Sequence, residues 1–210
     1  APNVAVPDAS VFNFDTSDFI TTTTISEFGI TGEFTVSMWL NSSTLNGYAT
    51  PLWASDNSFA SGFGFYYNSS RFHFFVDHYI TYGVVQTGTS TTNVWYHLVG
   101  TFSSSGTVKL YINGEANGTP KTGATLDGLN NTLTISKGTA VAGDITNVQL
   151  WDKELIDSEV ETLYNSGVPL LTGTQPQASN LKAWYKLNQL DSYWDIAGTG
   201  NWTISNEAIN

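Results

Sequence analysis

The 210-residue sequence contains no cysteine, which excludes disulfide bonds and thiolate metal sites. Charged residues are also scarce: the sequence contains 7 basic and 18 acidic side chains, for a net charge of −11. Nucleic-acid binding depends largely on Lys and Arg contacts to phosphate, so no nucleic-acid partner is expected. No apolar run approaches the roughly 18 residues of a membrane-spanning helix, so no membrane insertion is expected.

Short alternating segments rich in aromatic and β-branched residues dominate the chain and predict an all-β sandwich. Phe34–Leu40 alternates apolar and polar side chains, as does Val108–Ile112. Asn113-Gly114 follows the latter and is the preferred pair for a two-residue hairpin, because both positions need positive φ. Further strands are predicted at Phe63–Tyr67, Phe72–Val76, Trp95–Phe102, Ile145–Trp151 and Leu181–Leu187.

One segment departs from the β pattern. Ser158 and Glu161 have the spacing of a capping box, and an apolar stripe follows at helical spacing. Gly167 stands where a C-terminal cap would fall. The sequence therefore predicts one short helix near 158–166.

Five segments stand out by their order and spacing: Ser10–Ile20, Phe34–Leu40, Trp95–Phe102, Gly106–Gly114 and Gly143–Trp151. Together they resemble the laminin G-like and pentraxin-like branch of the concanavalin A-like lectin/glucanase superfamily. The resemblance implies a jelly roll of two antiparallel sheets over residues 1–190, with 191–210 as a C-terminal extension or linker. It says little about function, because binding sites are grafted onto folds.

Carboxylates do not occur in the arrangement that glycoside hydrolysis requires. A glycosidase needs two of them across the scissile bond, which on a strand means acids at even spacing. The densest acids instead lie at the start of the predicted helix, where they favour the positive end of its dipole. No Gly-x-Ser-x-Gly elbow occurs either. We therefore expect no catalytic residues and no enzyme.

Three functions remain as hypotheses. The first is a recognition or adhesion module that binds glycans or surface proteins on an extracellular or virion surface. The second is a structural virion protein, such as a capsid decoration or tail-fibre domain with other virion proteins as partners. It is suggested because Ala183–Leu187 and the run to Ile204 are similar to laminin G-like domains of phage structural proteins. A glycoside hydrolase-like enzyme is the third and least supported.

Calcium is the metal that the resemblance implies. Asp56-Asn57 resembles an Asp-Asn pair that binds calcium in pentraxins, but the family's second ligand loop here reads 137–141, which contains Lys137 and no acid. Since calcium takes about six to eight oxygens, we expect affinity to be weak or absent. An Asx turn at Asp56 is one alternative. The other is a relocated site using Asp15, Asp18 or Asp144.

Aromatic residues offer a sugar platform, because their faces stack on sugar C–H groups while their polar tips form hydrogen bonds. Most are expected in the core, among them Trp39, Trp95 and Trp151. The ligand-binding candidates outside the core are Tyr66, His73 and Tyr82, with Tyr67 and Tyr79 nearby. His97 is interpreted as a packed, hydrogen-bonded strand residue.

Overall fold

Two β-sheets make up most of the chain. The computed structural model describes residues 11–45, 47–137, 141–170 and 174–187, and the backbone of two strands at 194–195 and 201–203. The strands are β1 (Phe12–Phe14), β2 (Phe19–Thr24), β3 (Phe34–Leu45), β4 (Ala49–Ser55), β5 (Gly62–Asn68), β6 (Arg71–Val76), β7 (Val84–Val85), β8 (Trp95–Phe102), β9 (Val108–Ile112), β10 (Glu115–Lys121), β11 (Thr132–Lys137), β12 (Val141–Trp151), β13 (Leu181–Tyr185), β14 (Trp194–Asp195) and β15 (Asn201–Thr203). The α-helices are α1 (Tyr79–Tyr82) and α2 (Asp157–Tyr164).

Sheet I has seven strands in the order β1-β12-β3-β8-β9-β10, with β13 also beside β12, and sheet II has eight in the order β14-β15-β2-β11-β4-β5-β6-β7. Every described pairing is antiparallel except that of β15 with β2. This confirms the predicted jelly-roll sandwich of two antiparallel sheets. The boundary at residue 190 stays a prediction, although β14 and β15, beyond it, extend the edge of sheet II. Within the described residues, neither helix has the length and apolarity needed to cross a membrane.

The main core lies between the two sheets. The apolar side chains of β3 that alternate in the sequence all enter it. Phe34 of β3 packs against Phe63 of β5 with ring centroids 4.4 Å apart, and against Phe74 of β6 at 6.4 Å, so one residue joins both sheets. Gly100 on β8 is needed here, since a Cβ at that position would lie 2.4 Å from the Phe74 ring.

Helix α2 begins and ends earlier than predicted. The residue preceding its first turn is Ile156 rather than Ser158, and the Glu159 carboxylate accepts a hydrogen bond from the Ile156 N–H at 3.0 Å. The helix ends because Asn165 adopts the left-handed conformation with φ 49°, and a 3-10 turn follows to Gly167. The reason is local: an acid at the third helical position caps the backbone without help from Ser158.

The hairpin prediction is confirmed. Asn113 and Gly114 have φ values of 53° and 83°, and Ile112 pairs directly with Glu115 across the turn. Several elements were not predicted, among them strands β4 and β11 and the single turn α1. All seven residues of β4 are buried, so it lacks the alternating pattern of a half-exposed strand.

Candidate functional site

The outer face of sheet II carries a second set of aromatic side chains, opposite the inter-sheet core. On β5, Phe65 and Tyr67 enter the core while Tyr66, between them, points outward, as the two-residue period of a strand requires. His73 lies opposite Tyr66 on β6, and the two rings stack with centroids 4.2 Å apart. Two of the predicted ligand-binding residues are therefore adjacent on one surface.

We call this surface the aromatic face, formed by Tyr48, Trp53, Phe59, Tyr66, Phe75 and Tyr79. Its rings touch one another: Trp53 and Phe59 meet edge to face at 4.3 Å, and Phe59 lies 5.1 Å from Tyr79. Tyr48 stacks nearly parallel to Tyr66 at 6.4 Å and is 54% exposed, whereas Tyr66 is 4% exposed. The most exposed ring of the aromatic face is therefore that of Tyr48, while Phe59 and Tyr79 are half-buried.

A groove, here the histidine groove, runs along one side of the aromatic face. Its volume is about 450 Å³, and its walls include Tyr66, His73, Tyr79, Ile80, Val85 and Lys121. Burial lowers the pKa of His73 and raises that of Tyr66, so both side chains are neutral at pH 7. The floor of the groove is thus an uncharged, aromatic surface with polar tips.

A second depression, here the lysine pocket, lies next to Tyr48. Its volume is about 280 Å³, and it is lined by Tyr48, Thr50, Trp53, Asn57, Phe59 and Lys137. The Lys137 Nζ lies 5.3 Å from the centroid of the Trp53 ring and 3.4 Å from the Asn57 Oδ1. Burial lowers the pKa of Lys137. The pocket therefore combines aromatic walls with one cation.

The remaining sequence candidates lie elsewhere. Tyr82 does not line the groove, because α1 directs it against the inter-sheet core. Tyr67 is buried in that core and donates a hydrogen bond to the Ser90 carbonyl at 3.1 Å. Sequence reasoning missed Tyr48, although the Asn46-Gly47 dipeptide before it is a turn signal that favours an exposed position.

The Asp56-Asn57 loop holds itself together. The Asp56 Oδ1 accepts hydrogen bonds from the Ser58 N–H and hydroxyl at 3.0 and 2.9 Å and from the Ala60 N–H at 3.0 Å. These bonds, led by that from Ala60, lower the pKa of Asp56. The side-chain amide oxygen of Asn57 accepts a hydrogen bond from the Lys137 ammonium. In this arrangement the loop fits an Asx turn better than calcium, which needs several free oxygens.

The acids proposed for a relocated calcium site already accept hydrogen bonds from neighbouring side chains or backbone groups. Asp15 and Asp144 border one polar depression of about 290 Å³ with Asn41. Asp15 accepts hydrogen bonds from Ser17, and Asp144 accepts one from Asn13 at 2.7 Å. Among the described residues, no group of three or more His, Asp or Glu side chains is placed to hold a metal ion.

A larger depression of about 840 Å³ lies between α2 and the β9–β10 hairpin. Its walls include Glu115, Asp157 and Glu161, and its one aromatic side chain, Tyr164, already stacks on Trp39 with centroids 5.7 Å apart. Carboxylate walls without a free ring do not make a sugar platform. The aromatic face is therefore the better candidate site.

The sheet order and the buried inter-sheet core define a concanavalin A-like β-sandwich. A laminin G family model, described as the concanavalin A-like lectin/glucanases superfamily, matches residues 14–161, well over half of the chain. The chain belongs to this family. No individual curated protein matches it in sequence.

Solved structures with the same fold include binding domains of botulinum neurotoxins. The receptor-binding domain of the mosaic serotype C/D toxin has a TM-score of 0.59 at 18% identity, covering 77% of this chain and 44% of that one. The serotype D binding domain gives 0.56 at 18% identity, covering 78% and 45%. A type DC binding domain, solved in complex with SialylT, gives 0.50 at 18% identity, covering 66% and 36%. The chain thus spans less than half of each of these domains, and the likeness is one of fold.

Proposed function

We propose that the chain is a non-catalytic carbohydrate-recognition module of an extracellular surface, and that it binds glycan across the aromatic face. The observation that carries this proposal is the position of Tyr48. Its ring is 54% exposed, it lines the lysine pocket, and it stacks on Tyr66, which lines the histidine groove. An exposed, supported ring beside a depression is the arrangement on which a sugar can stack.

The surroundings of Tyr48 support the same interpretation. Small-molecule sites are usually concave and largely apolar, with a few polar groups that fix orientation. Here Ile80 and Val85 supply apolar wall, while Thr50, Asn57 and Lys137 supply polar groups beside the rings. The type DC neurotoxin binding domain, which shares this fold, was solved in complex with SialylT.

The walls of the two depressions also support a binding role over a hydrolytic one. Glycoside hydrolysis requires two carboxylates flanking the bond to be broken. Among the described residues, no Asp or Glu lines either the histidine groove or the lysine pocket. A glycan bound here would not meet the pair of carboxylates on which most glycosidases depend.

A protein partner is the second candidate, either a surface protein or another component of a virion such as a capsid or tail fibre. Ile80 and Val85 favour it, because they are 71% and 37% exposed at the rim of the histidine groove. Exposed apolar patches of sufficient size mark interaction sites. In that case the aromatic face would bury against protein, a glycan screen would yield no ligand, and substitution of Ile80 by Asp would weaken complex formation.

The test is a glycan-array screen followed by calorimetric titration of the strongest ligand. We expect Tyr48→Ala to weaken binding about 2- to 10-fold, because an aromatic stacking contact contributes ~0.5–1.5 kcal/mol. Tyr48→Phe, which keeps the ring, should bind nearly as the wild type does. Val168→Ala serves as the control, since Val168 is 51% exposed but follows α2.

Two results would contradict the proposal. One is a wild-type protein that binds no glycan, and the other is a Tyr48→Ala variant with undiminished affinity. Incubation with the bound polysaccharide should release no reducing ends. Release that a single carboxylate substitution abolishes would show that the protein is an enzyme.

A further inference from the structure

The cations of this acidic chain are unevenly distributed over its surface. Within the described part of the chain, three salt bridges involve residues of sheet I or the segments that follow its strands: Lys109 with Glu154, Lys153 with Glu33 and Lys182 with Asp152. By contrast, Arg71, Lys121 and Lys137 form no salt bridge with any described carboxylate. These three border the aromatic face.

Two of the three line a depression, and the third shares a strand face with a lining residue. Lys121 lines the histidine groove and Lys137 the lysine pocket. Arg71 lies two residues before His73 on β6, so the period of the strand places it on the same face. The face where a ligand is proposed to bind is therefore also the face whose positive charges have no carboxylate partner in the described structure.

The backbone turns Lys137 towards this face. Leu133 and Ile135 of β11 enter the core, and strict alternation would direct residue 137 to the same side. Ser136 instead has a φ of 58°, a left-handed conformation that a non-glycine residue rarely adopts. The alternation is broken there, and the Lys137 side chain lies in the lysine pocket against Trp53. Strained residues of this kind cluster at ligand sites.

Among the described residues, no carboxylate pairs with the Lys137 ammonium. Its near neighbours are the amide oxygen of Asn57 and the indole ring of Trp53, both of them neutral groups. Partial burial removes water from a charged group and costs free energy, and contacts with neutral groups recover only part of that cost. A carboxylate bound in the pocket would neutralise the ammonium charge and accept a charge-assisted hydrogen bond from it.

We propose that the lysine pocket is a subsite for a carboxylate-bearing sugar, with the Lys137 ammonium pairing to the carboxylate and the Tyr48 ring stacking on the sugar. This inference rests on the proposed function and specifies its ligand. The rest of the glycan extends over the aromatic face towards the histidine groove. From β11 to β7 the face spans four strand spacings of about 4.8 Å, or ~19 Å, which suits an oligosaccharide.

The charge of the whole chain restricts this ligand to few negative charges. Three cations on one face attract a nearby carboxylate, but the net charge of −11 repels a long polyanion. We therefore expect a glycan with a single acidic sugar to bind better than a densely sulfated chain such as heparin. Raising the salt concentration should weaken the acidic glycan more than its neutral counterpart.

The experiment compares two oligosaccharide pairs that differ by one acidic sugar: lactose with and without terminal sialic acid, and a hexose-terminated glycan with its uronic acid form. We expect the acidic member of at least one pair to bind about tenfold more tightly, as a charge-assisted hydrogen bond would allow. In Lys137→Gln this ratio should fall to near one. The control Lys182→Gln removes a cation of sheet I and should keep the ratio.

Other outcomes separate this inference from the function on which it rests. Equal binding of acidic and neutral members by the wild type, or an unchanged ratio in Lys137→Gln, would overturn the carboxylate subsite and leave glycan binding in place. Tighter binding of heparin than of any singly charged glycan would also overturn it. Failure of every glycan to bind would overturn both. Unchanged thermal melting of Lys137→Gln establishes that the variant is folded.

Discussion

At the scale of single residues, the environment of each polar aromatic side chain decides what it can do. His97 is fully buried on β8, stacks on Trp39 with centroids 4.8 Å apart, and shares a 2.8 Å hydrogen bond with the Ser37 hydroxyl. Ser37 pairs across the strands with Val99. The hydroxyl–imidazole hydrogen bond therefore adds a side-chain link between β3 and β8 to their backbone pairing. His97 is a structural residue, in contrast to His73 at the groove.

His97 makes the stability of the protein dependent on pH. Burial lowers its pKa to about 3, whereas an unfolded histidine has a pKa of about 6.5. Between these values the unfolded state binds a proton that the native state does not, so stability falls as the pH drops from about 6.5 towards 3. Within this window His97 should cost about 1.4 kcal/mol per pH unit.

Urea unfolding at pH 7 and pH 5 measures the combined effect of all titrating groups. An NMR titration of the His97 ring isolates this residue and should show it neutral down to pH 4. A ring that titrates near pH 6.5 in the folded protein would show that burial does not control it.

At the scale of elements, α2 covers the outer face of sheet I. Val160 and Leu163 pack with Tyr111 and Trp151 in a separate apolar cluster, and the Tyr111 hydroxyl donates to Asp157 at 2.7 Å. The β9–β10 hairpin fits closely beneath the end of the helix. A Cβ at Gly114 would lie 2.9 Å from Tyr164, in addition to requiring positive φ.

The N-terminus of α2 can be improved, because Ile156 occupies the capping position without a side-chain acceptor. Its backbone has the extended conformation of a cap, and the side chain is 60% exposed. We expect Ile156→Ser to stabilise the protein by about 1 kcal/mol through a hydrogen bond to a free helical N–H. Ile156→Ala is the matched control, since it removes the same apolar side chain without adding an acceptor. Denaturant midpoints compare the two, and equal midpoints would contradict the expectation.

At the scale of the whole molecule, the two outer faces of the sandwich differ. Sheet I is covered by α2, while sheet II leaves its aromatic face open around Tyr48. An antiparallel sheet can present one face to water. An exposed face rich in aromatic rings, however, is typical of a surface that binds a ligand or partner. The open face is thus where an interaction of the module as a whole is expected.

Calcium is tested at the same scale, by the thermal stability of the entire domain. We expect little or no shift in melting temperature between millimolar calcium and chelator, because the Asp56 oxygens already accept hydrogen bonds from their own loop. A ligand at a hundredfold excess over its Kd would stabilise by about 2.7 kcal/mol. A clear upward shift that disappears in Asp56→Ala would establish the Asp56-Asn57 site. A shift that disappears only in Asp144→Asn would establish the relocated one.

The sequence by itself determined the all-β class and many of the elements, and the resemblance to laminin G-like domains implied the jelly roll. Alternation in Phe34–Leu40 and Val108–Ile112, the Asn113-Gly114 turn and the helical stripe before Gly167 are local patterns, and local patterns specify elements and their buried faces. The sequence also offered Tyr66, His73 and Tyr82 as candidates outside the core, and the structure brings the first two together on adjacent strands. Only the tertiary structure decided that Tyr48 and Lys137 join them, because this depends on a turn and on the left-handed Ser136. It also decided that Tyr82 turns away, since burial is settled by packing between elements distant in the chain.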